Sequence, residues 1–108
     1  MTSEIKEIVN RMSLTDVWNN LGCFLSSGLD IDYLLELGEP QDGYFAENSR
    51  RLLNIGADPQ KLFQLNEEWY LNWVACPEEM NTILGQYRQY GLDEKFIKEW
   101  KQQHNIHY

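Results

Sequence analysis

Apolar residues recur every three or four positions along most of the chain, with polar residues between them. The pattern is clear at Ile5, Ile8, Val9 and Met12, and it returns in several later segments as far as Trp100. This spacing places apolar side chains on one face of a helix. No stretch alternates with period two for long enough to predict a strand. The sequence therefore predicts an all-α fold.

The longest segment rich in apolar residues lies near the middle of the chain, between two helix boundaries. Gly56 is suited to end one helix, Asp58 to cap the next and Pro59 to occupy its first turn. Cys76-Pro77 marks the next boundary. We therefore expect a central helix over roughly residues 59–75, surrounded by short helices to a total of about six or seven, in a single helical domain spanning residues 1–108.

The apolar residues of this expected central helix fall on two faces. On a regular helix, Leu62, Trp69 and Trp73 lie within about 40° of one another, and a second cluster with Phe63 and Tyr70 lies about 100° away. We expect one face to pack on the N-terminal helices and the other on the C-terminal helices. The aromatic residues are then core residues, and an exposed interface is the alternative, since Trp and Tyr are enriched at binding hot spots.

Three junctions along the chain share one pattern, a glycine followed by an apolar residue and an aspartate. They are Gly28-Leu29-Asp30, Gly56-Ala57-Asp58 and Gly91-Leu92-Asp93, separated by 28 and 35 residues. Residues 53–59 resemble the end of the second helix of an ankyrin repeat, although no segment has the Thr-Pro-Leu-His turn of that family. We interpret the junctions as efficient joints between successive helices, and a repeat origin stays open.

Composition and charge restrict the class of protein. The chain has 17 acidic and 9 basic residues, a net charge of −8, and 43% hydrophobic residues. The hydrophobic content is that of a globular protein, and the charge argues against direct nucleic-acid binding. No apolar run is long enough to span a membrane, and the N-terminus does not resemble a secretion signal, so we expect a cytoplasmic protein. Cys23 and Cys76 follow no metal-binding or redox spacing, so we expect small core residues and not a disulfide.

The acidic residues are concentrated in one part of the chain. No Lys or Arg occurs between Arg11 and Arg50. A surface of one charge sign favours a partner of the opposite sign, although a solvated face is the simpler alternative. We predict that this segment binds a basic protein partner through six acidic residues, Asp30, Asp32, Glu36, Glu39, Asp42 and Glu47, and through the aromatic anchors Tyr33, Tyr44 and Phe45.

Few residues suggest catalysis or metal binding. His104 and His107 could share a helix face, but no third ligand has a matching spacing. The adjacent pair Glu67-Glu68 cannot converge on one atom, because neighbours on a helix diverge by about 100°. No phosphate-binding loop or nucleophile motif is present. We therefore predict no catalytic residue, no metal site and no cofactor.

The most specific function that these features indicate is a small acidic protein-binding module. Such a protein would act as an inhibitor or neutralising partner by occupying a basic surface, including that of a nucleic-acid-binding protein. The main alternative is a structural subunit or adaptor with an apolar helical interface. An enzyme with an unrecognised site is the third possibility, and the sequence leaves the oligomeric state open.

Overall fold

A computed structural model describes residues 2–108, with side chains from Ser3 onwards, and confirms the all-α prediction. No strand occurs among these residues, and none of their helices combines the length and apolar character needed to cross a membrane. The described residues form ten helices, more than expected. These are α1 Thr2–Arg11, α2 Leu14–Asn19, α3 Leu21–Ser26, α4 Ile31–Leu37, α5 Tyr44–Glu47, α6 Ser49–Asn54, α7 Pro59–Leu65, α8 Glu67–Leu71, α9 Pro77–Gln89 and α10 Glu94–Gln103.

The three glycine-containing junctions have the same geometry. Gly28, Gly56 and Gly91 adopt φ values of 96°, 107° and 99°, in the left-handed conformation that ends a helix. The apolar residue after each glycine is buried, and its N–H donates to the carbonyl oxygen five residues earlier at 3.0–3.1 Å. The aspartate that follows accepts a backbone hydrogen bond at the start of the next helix. Each junction thus satisfies the free carbonyl groups of one helix and the free N–H groups of the next.

The helices stack into an elongated body with extents of 47 × 24 × 20 Å. Several hydrogen bonds join segments that are distant along the chain, including two that span 20 and 26 residues. Trp18 Nε1 donates to the Gly38 carbonyl at 2.9 Å, and the Asp58 N–H donates to Asp32 Oδ1 at 2.9 Å. These bonds join α2 to the residue after α4, and the N-terminus of α7 to α4.

One aromatic cluster dominates the C-terminal half of the core. Phe63 is surrounded by Tyr70, Tyr87, Phe96 and Trp100, with ring centroids 5.0–5.6 Å from its own. Most of these rings meet edge to face, an arrangement that adds about 0.5–1.5 kcal/mol per pair beyond the burial of their surface. The cluster joins α7 and α8 to α9 and α10.

The expected central helix over residues 59–75 is not continuous. It is divided into α7 and α8 by Asn66, and residues 72–75 form turns. The Asn66 side chain is only 1% exposed, and its amide donates to the hydroxyl groups of Tyr70 and Tyr87. The Asn66 backbone departs from helical geometry, with φ −100° and ψ 8°. The interruption therefore coincides with a buried polar contact that apolar periodicity does not detect.

This interruption changes which aromatic residues face the core. Leu62, Phe63 and Tyr70 are buried, as expected. Trp69 and Trp73, which the helical wheel assigned to a buried face, are 40% and 44% exposed, so that prediction is wrong. Residues 59–75 therefore pack on the core through one face, and Trp69 and Trp73 lie outside that face.

Candidate protein-binding groove

Four of the six predicted recognition acids make contacts within the protein. Asp30 caps α4 by accepting the Asp32 N–H at 3.0 Å, and Asp32 accepts the N–H of Asp58 just before α7. Glu36 forms an ion pair with Lys61, and its carboxylate raises the pKa of that lysine through their hydrogen bond. These carboxylates thus have structural partners, and the acidity of this segment is partly used to join α4 to α7.

Glu39 has a structural role in the loop after α4. Its carboxylate accepts the backbone N–H groups of Gly43 at 3.3 Å and Phe45 at 2.9 Å. Asp42 and Glu47 differ from the other four acids because both are exposed, and no side-chain hydrogen bond or ion pair engages them within residues 2–108. Of the predicted set, these two carboxylates are available to a partner.

The predicted aromatic anchors are mostly occupied. Phe45 is 3% exposed and packs edge to face on Trp18, so it offers no accessible ring and is corrected to a core residue. Tyr44 is half-buried against the same tryptophan, with centroids 5.7 Å apart. The Tyr33 hydroxyl donates to Asn10, and Lys6 Nζ lies 4.7 Å from the centre of its ring. The accessible aromatic surface therefore lies elsewhere.

Trp69 and Trp73 supply that surface. Trp69 is on α8, and Trp73 is in the turn that follows. Both contribute to a groove of about 440 Å³, within the range of ligand-binding sites. We call it the tryptophan groove, and its lining consists of Ala46, Glu47, Ser49, Trp69, Tyr70, Trp73, Ile83 and Gln86.

The chain path after α8 places the Trp73 indole outside the core. After Leu71 the backbone changes to tight turns, in which Asn72 N–H donates to Trp69 O at 3.2 Å and Trp73 N–H donates to Tyr70 O at 3.0 Å. Bonds to the third residue back rotate the chain by more than 100° per residue, so side chains leave the faces of a regular α-helix. Pro77 then begins α9. Tyr70 remains buried, while the two tryptophans lie at the surface.

Gly43 positions the indole of Trp69. Its φ of +85° is in the left-handed region, which glycine adopts without a steric penalty. A Cβ atom at this position would lie 2.9 Å from Trp69 Cζ2, closer than such atoms approach, and 3.1 Å from Cη2. The absence of a side chain lets the indole rest on the loop backbone. Since Glu39 also holds this loop, the indole has a rigid support.

On one side of the groove, every charged side chain of the lining is acidic. Glu47 belongs to the lining, and an adjoining depression that shares Trp69 is lined by Asp42, Glu68 and Asn72. No Lys or Arg lines either depression, as far as residues 2–108 show. Across Glu47 the surface changes, because the next depression contains Arg50 and Arg51 with Tyr90. The groove therefore lies between an acidic side and a basic side.

The floor of the groove is polar. The Ser49 hydroxyl donates to Gln86 Oε1 at 3.1 Å, and Ser49 is only 7% exposed. Behind it, the hydroxyl groups of Tyr70 and Tyr87 are hydrogen-bonded to each other and to Asn66. Burial raises the pKa of both tyrosines above the ordinary value of 10.0, so both are protonated at neutral pH. The floor is thus uncharged and already hydrogen-bonded.

Among the described residues, no group of three or more His, Cys, Asp or Glu side chains is placed to hold a metal ion. His104 contacts an acidic side chain of α8. Its Nε2 lies 2.9 Å from Glu67 Oε1, which also accepts Trp100 Nε1–H at 3.1 Å. Cys23 and Cys76 are exposed free thiols, not the small core residues that their types suggest.

Comparison of the chain with models of known families, with curated proteins and with solved structures finds no match. The geometry of the groove is therefore the basis on which a function is inferred.

Sequence reasoning identified the tryptophans but assigned them to the core. The signal that could have separated them from Tyr70 is the polar break at Asn66 followed by Asn72, since both residues are poor helix formers within an apolar segment. Gly43 lies on the loop between α4 and α5. Its contact with Trp69 joins positions 26 residues apart, and no local pattern predicts such a contact.

Proposed function

We propose that the protein is a non-enzymatic, cytoplasmic binding module that occupies a basic segment of a protein partner in the tryptophan groove. The observation that carries the proposal is the pair of exposed indoles, Trp69 and Trp73, bordered by Asp42, Glu47 and Glu68 with no basic side chain on that side. Inhibition or neutralisation of a basic partner is the expected biological role.

The aromatic side chains supply affinity in this proposal. Binding removes the apolar surface of exposed indoles from water, and this contributes about 25 cal/mol of favourable free energy for each Å² removed. Tryptophan is also the aromatic residue most favourable for contact with a cation, at about 0.5–2 kcal/mol per contact. Trp69 rests on the Gly43 backbone, so part of the site is organised before binding.

The acidic side chains supply orientation and rate of association. Glu47 lies in the groove and Asp42 in the adjoining depression, and both are free of internal ion pairs within the described chain. Exposed charges act mainly on the association rate and are screened by salt over about 10 Å at 0.1 M. Binding should therefore weaken as the salt concentration rises.

The test uses calorimetric titration of the protein with a lysine- and arginine-rich peptide at low and at high salt. Asp42→Asn/Glu47→Gln should weaken binding about fivefold, a factor expected for two exposed charges. The matched control is Glu4→Gln/Glu7→Gln, which changes the net charge equally on exposed positions of α1. That control should change the affinity less than about twofold.

Each outcome decides between alternatives. If both pairs of substitutions weaken binding equally, only net charge matters and the groove proposal fails. If Trp69→Ala/Trp73→Ala abolishes a self-association that persists at high salt, the apolar interface of a structural subunit is the better description. A peptide that does not bind at low salt contradicts the proposal outright.

A further inference from the structure

We infer that the tryptophan groove recognises an arginine side chain of its partner, in preference to lysine. This inference rests on the proposed function, and it specifies which cation the groove selects. It is carried by the combination of two exposed indoles, a hydrogen-bonded polar floor and an acidic border in one groove.

The indoles favour a planar cation. Guanidinium is flat and weakly hydrated, and it stacks on aromatic faces, whereas ammonium is compact and strongly hydrated. Trp69 and Trp73 both line the groove and keep two-fifths or more of their surface exposed. The methylene groups of an arginine can also cover the apolar positions Ala46 and Ile83, which belong to the same lining.

The floor of the groove offers hydrogen-bond acceptors beside the two indoles. Gln86 Oε1 accepts one hydrogen bond from Ser49 and has a second lone pair. The Glu47 carboxylate adds an acceptor in the same lining. A guanidinium carries five N–H donors in a fixed plane, so it can stack and donate to several acceptors at once, while an ammonium has only three donors.

The surrounding charges restrict where the cation lies. Asp42 and Glu68 border the groove beyond Trp69, whereas Arg50 and Arg51 lie beyond Glu47. A guanidinium is therefore attracted to the part of the groove between Trp69 and Glu47 and repelled from the far side. This arrangement selects a single arginine at a defined position.

The experiment compares peptides that carry arginine, lysine or citrulline at the same positions of one glycine–serine sequence. Calorimetric titration should give about fivefold tighter binding of the arginine peptide than of the lysine peptide, and weaker binding still of neutral citrulline. Gln86→Leu should reduce the ratio between arginine and lysine to less than about twofold, because it removes an acceptor that only guanidinium uses fully. The matched control, Gln89→Leu, changes an exposed residue of α9 outside the groove and should preserve the ratio.

The results separate this inference from the proposed function. Equal binding of the arginine and lysine peptides overturns the preference for arginine and leaves the basic-segment proposal standing. Equal binding of the citrulline peptide shows that charge is irrelevant and overturns both. If light scattering shows a dimer that Trp69→Ala dissociates, a second copy of the chain occupies the groove and the arginine inference fails. Circular dichroism of each variant confirms that it is folded.

Discussion

Replacing Gly43 with alanine should displace the Trp69 indole and destabilise the protein for two separable reasons. The backbone at Gly43 has φ +85°, which an L-amino acid adopts at a cost of about 1–2 kcal/mol. The added methyl carbon would also lie 2.9 Å from Trp69 Cζ2. Because the indole is partly exposed, it can move away at a cost near the lower end of the roughly 1–3 kcal/mol seen for overpacked sites. The total destabilisation should be about 2–3 kcal/mol.

Gly56 provides a matched control for the backbone contribution. Its φ is +107°, but no atom lies within 4 Å of the position that a Cβ would occupy. Gly56→Ala should therefore cost only the conformational penalty of about 1–2 kcal/mol. The difference between the two alanine variants measures the contact between residue 43 and the indole.

Chemical denaturation followed by circular dichroism gives these free energies of unfolding. A double-mutant cycle with Trp69→Ala isolates the contact, because removing the indole leaves the backbone penalty of Gly43→Ala in place. The Gly43→Ala and Trp69→Ala changes should be coupled by about 1 kcal/mol, whereas Gly56→Ala and Trp69→Ala should be additive to within about 0.5 kcal/mol. In a domain of this size, a difference of about 1 kcal/mol shifts the melting temperature by about 4–8 °C. Additivity of Gly43→Ala with Trp69→Ala would refute the inferred role of Gly43 in supporting the groove.

Two further predictions concern the core and the helix junctions. Burial raises the pKa of Tyr70 and Tyr87, so as the pH rises the hydroxyl groups of the unfolded chain lose their protons first. The two protonated hydroxyl groups therefore contribute fully to the free energy of unfolding below pH 10, and this contribution is lost as the pH rises above about 10. Chemical denaturation at a series of alkaline pH values should show the free energy of unfolding falling by up to about 1.4 kcal/mol per pH unit for each tyrosine. If the Tyr87→Phe variant has the same dependence of this free energy on pH as the original protein, the prediction is contradicted. Asp93→Ala should lower the free energy of unfolding by about 1 kcal/mol, because it removes the acceptor for the Lys95 N–H. Asp93→Asn keeps an acceptor at the start of α10 and should lower it by less than about 0.5 kcal/mol. Equal losses in the two variants would show that charge rather than capping is responsible.

The candidate site could be predicted only in part, because several of its acidic residues have distant partners. Glu36 and Lys61 are 25 residues apart, and Asp32 and the Asp58 N–H are 26 residues apart. The charge pattern indicated an acidic segment that includes Asp42 and Glu47. It could not distinguish carboxylates that join helices from those left free, since that difference depends on which helices stack together.

The sequence by itself determined the helical class and the junctions between helices, because periodicity and capping act over a few residues. Gly56, Asp58 and Pro59 end and begin helices where their types require. Only the tertiary structure decided which aromatic residues are exposed. Asn66 bonds the hydroxyl of Tyr87, 21 residues away, where the expected central helix is interrupted. That interruption leaves Trp69 at the surface, on the backbone of Gly43, and the tight turns after Leu71 leave Trp73 there.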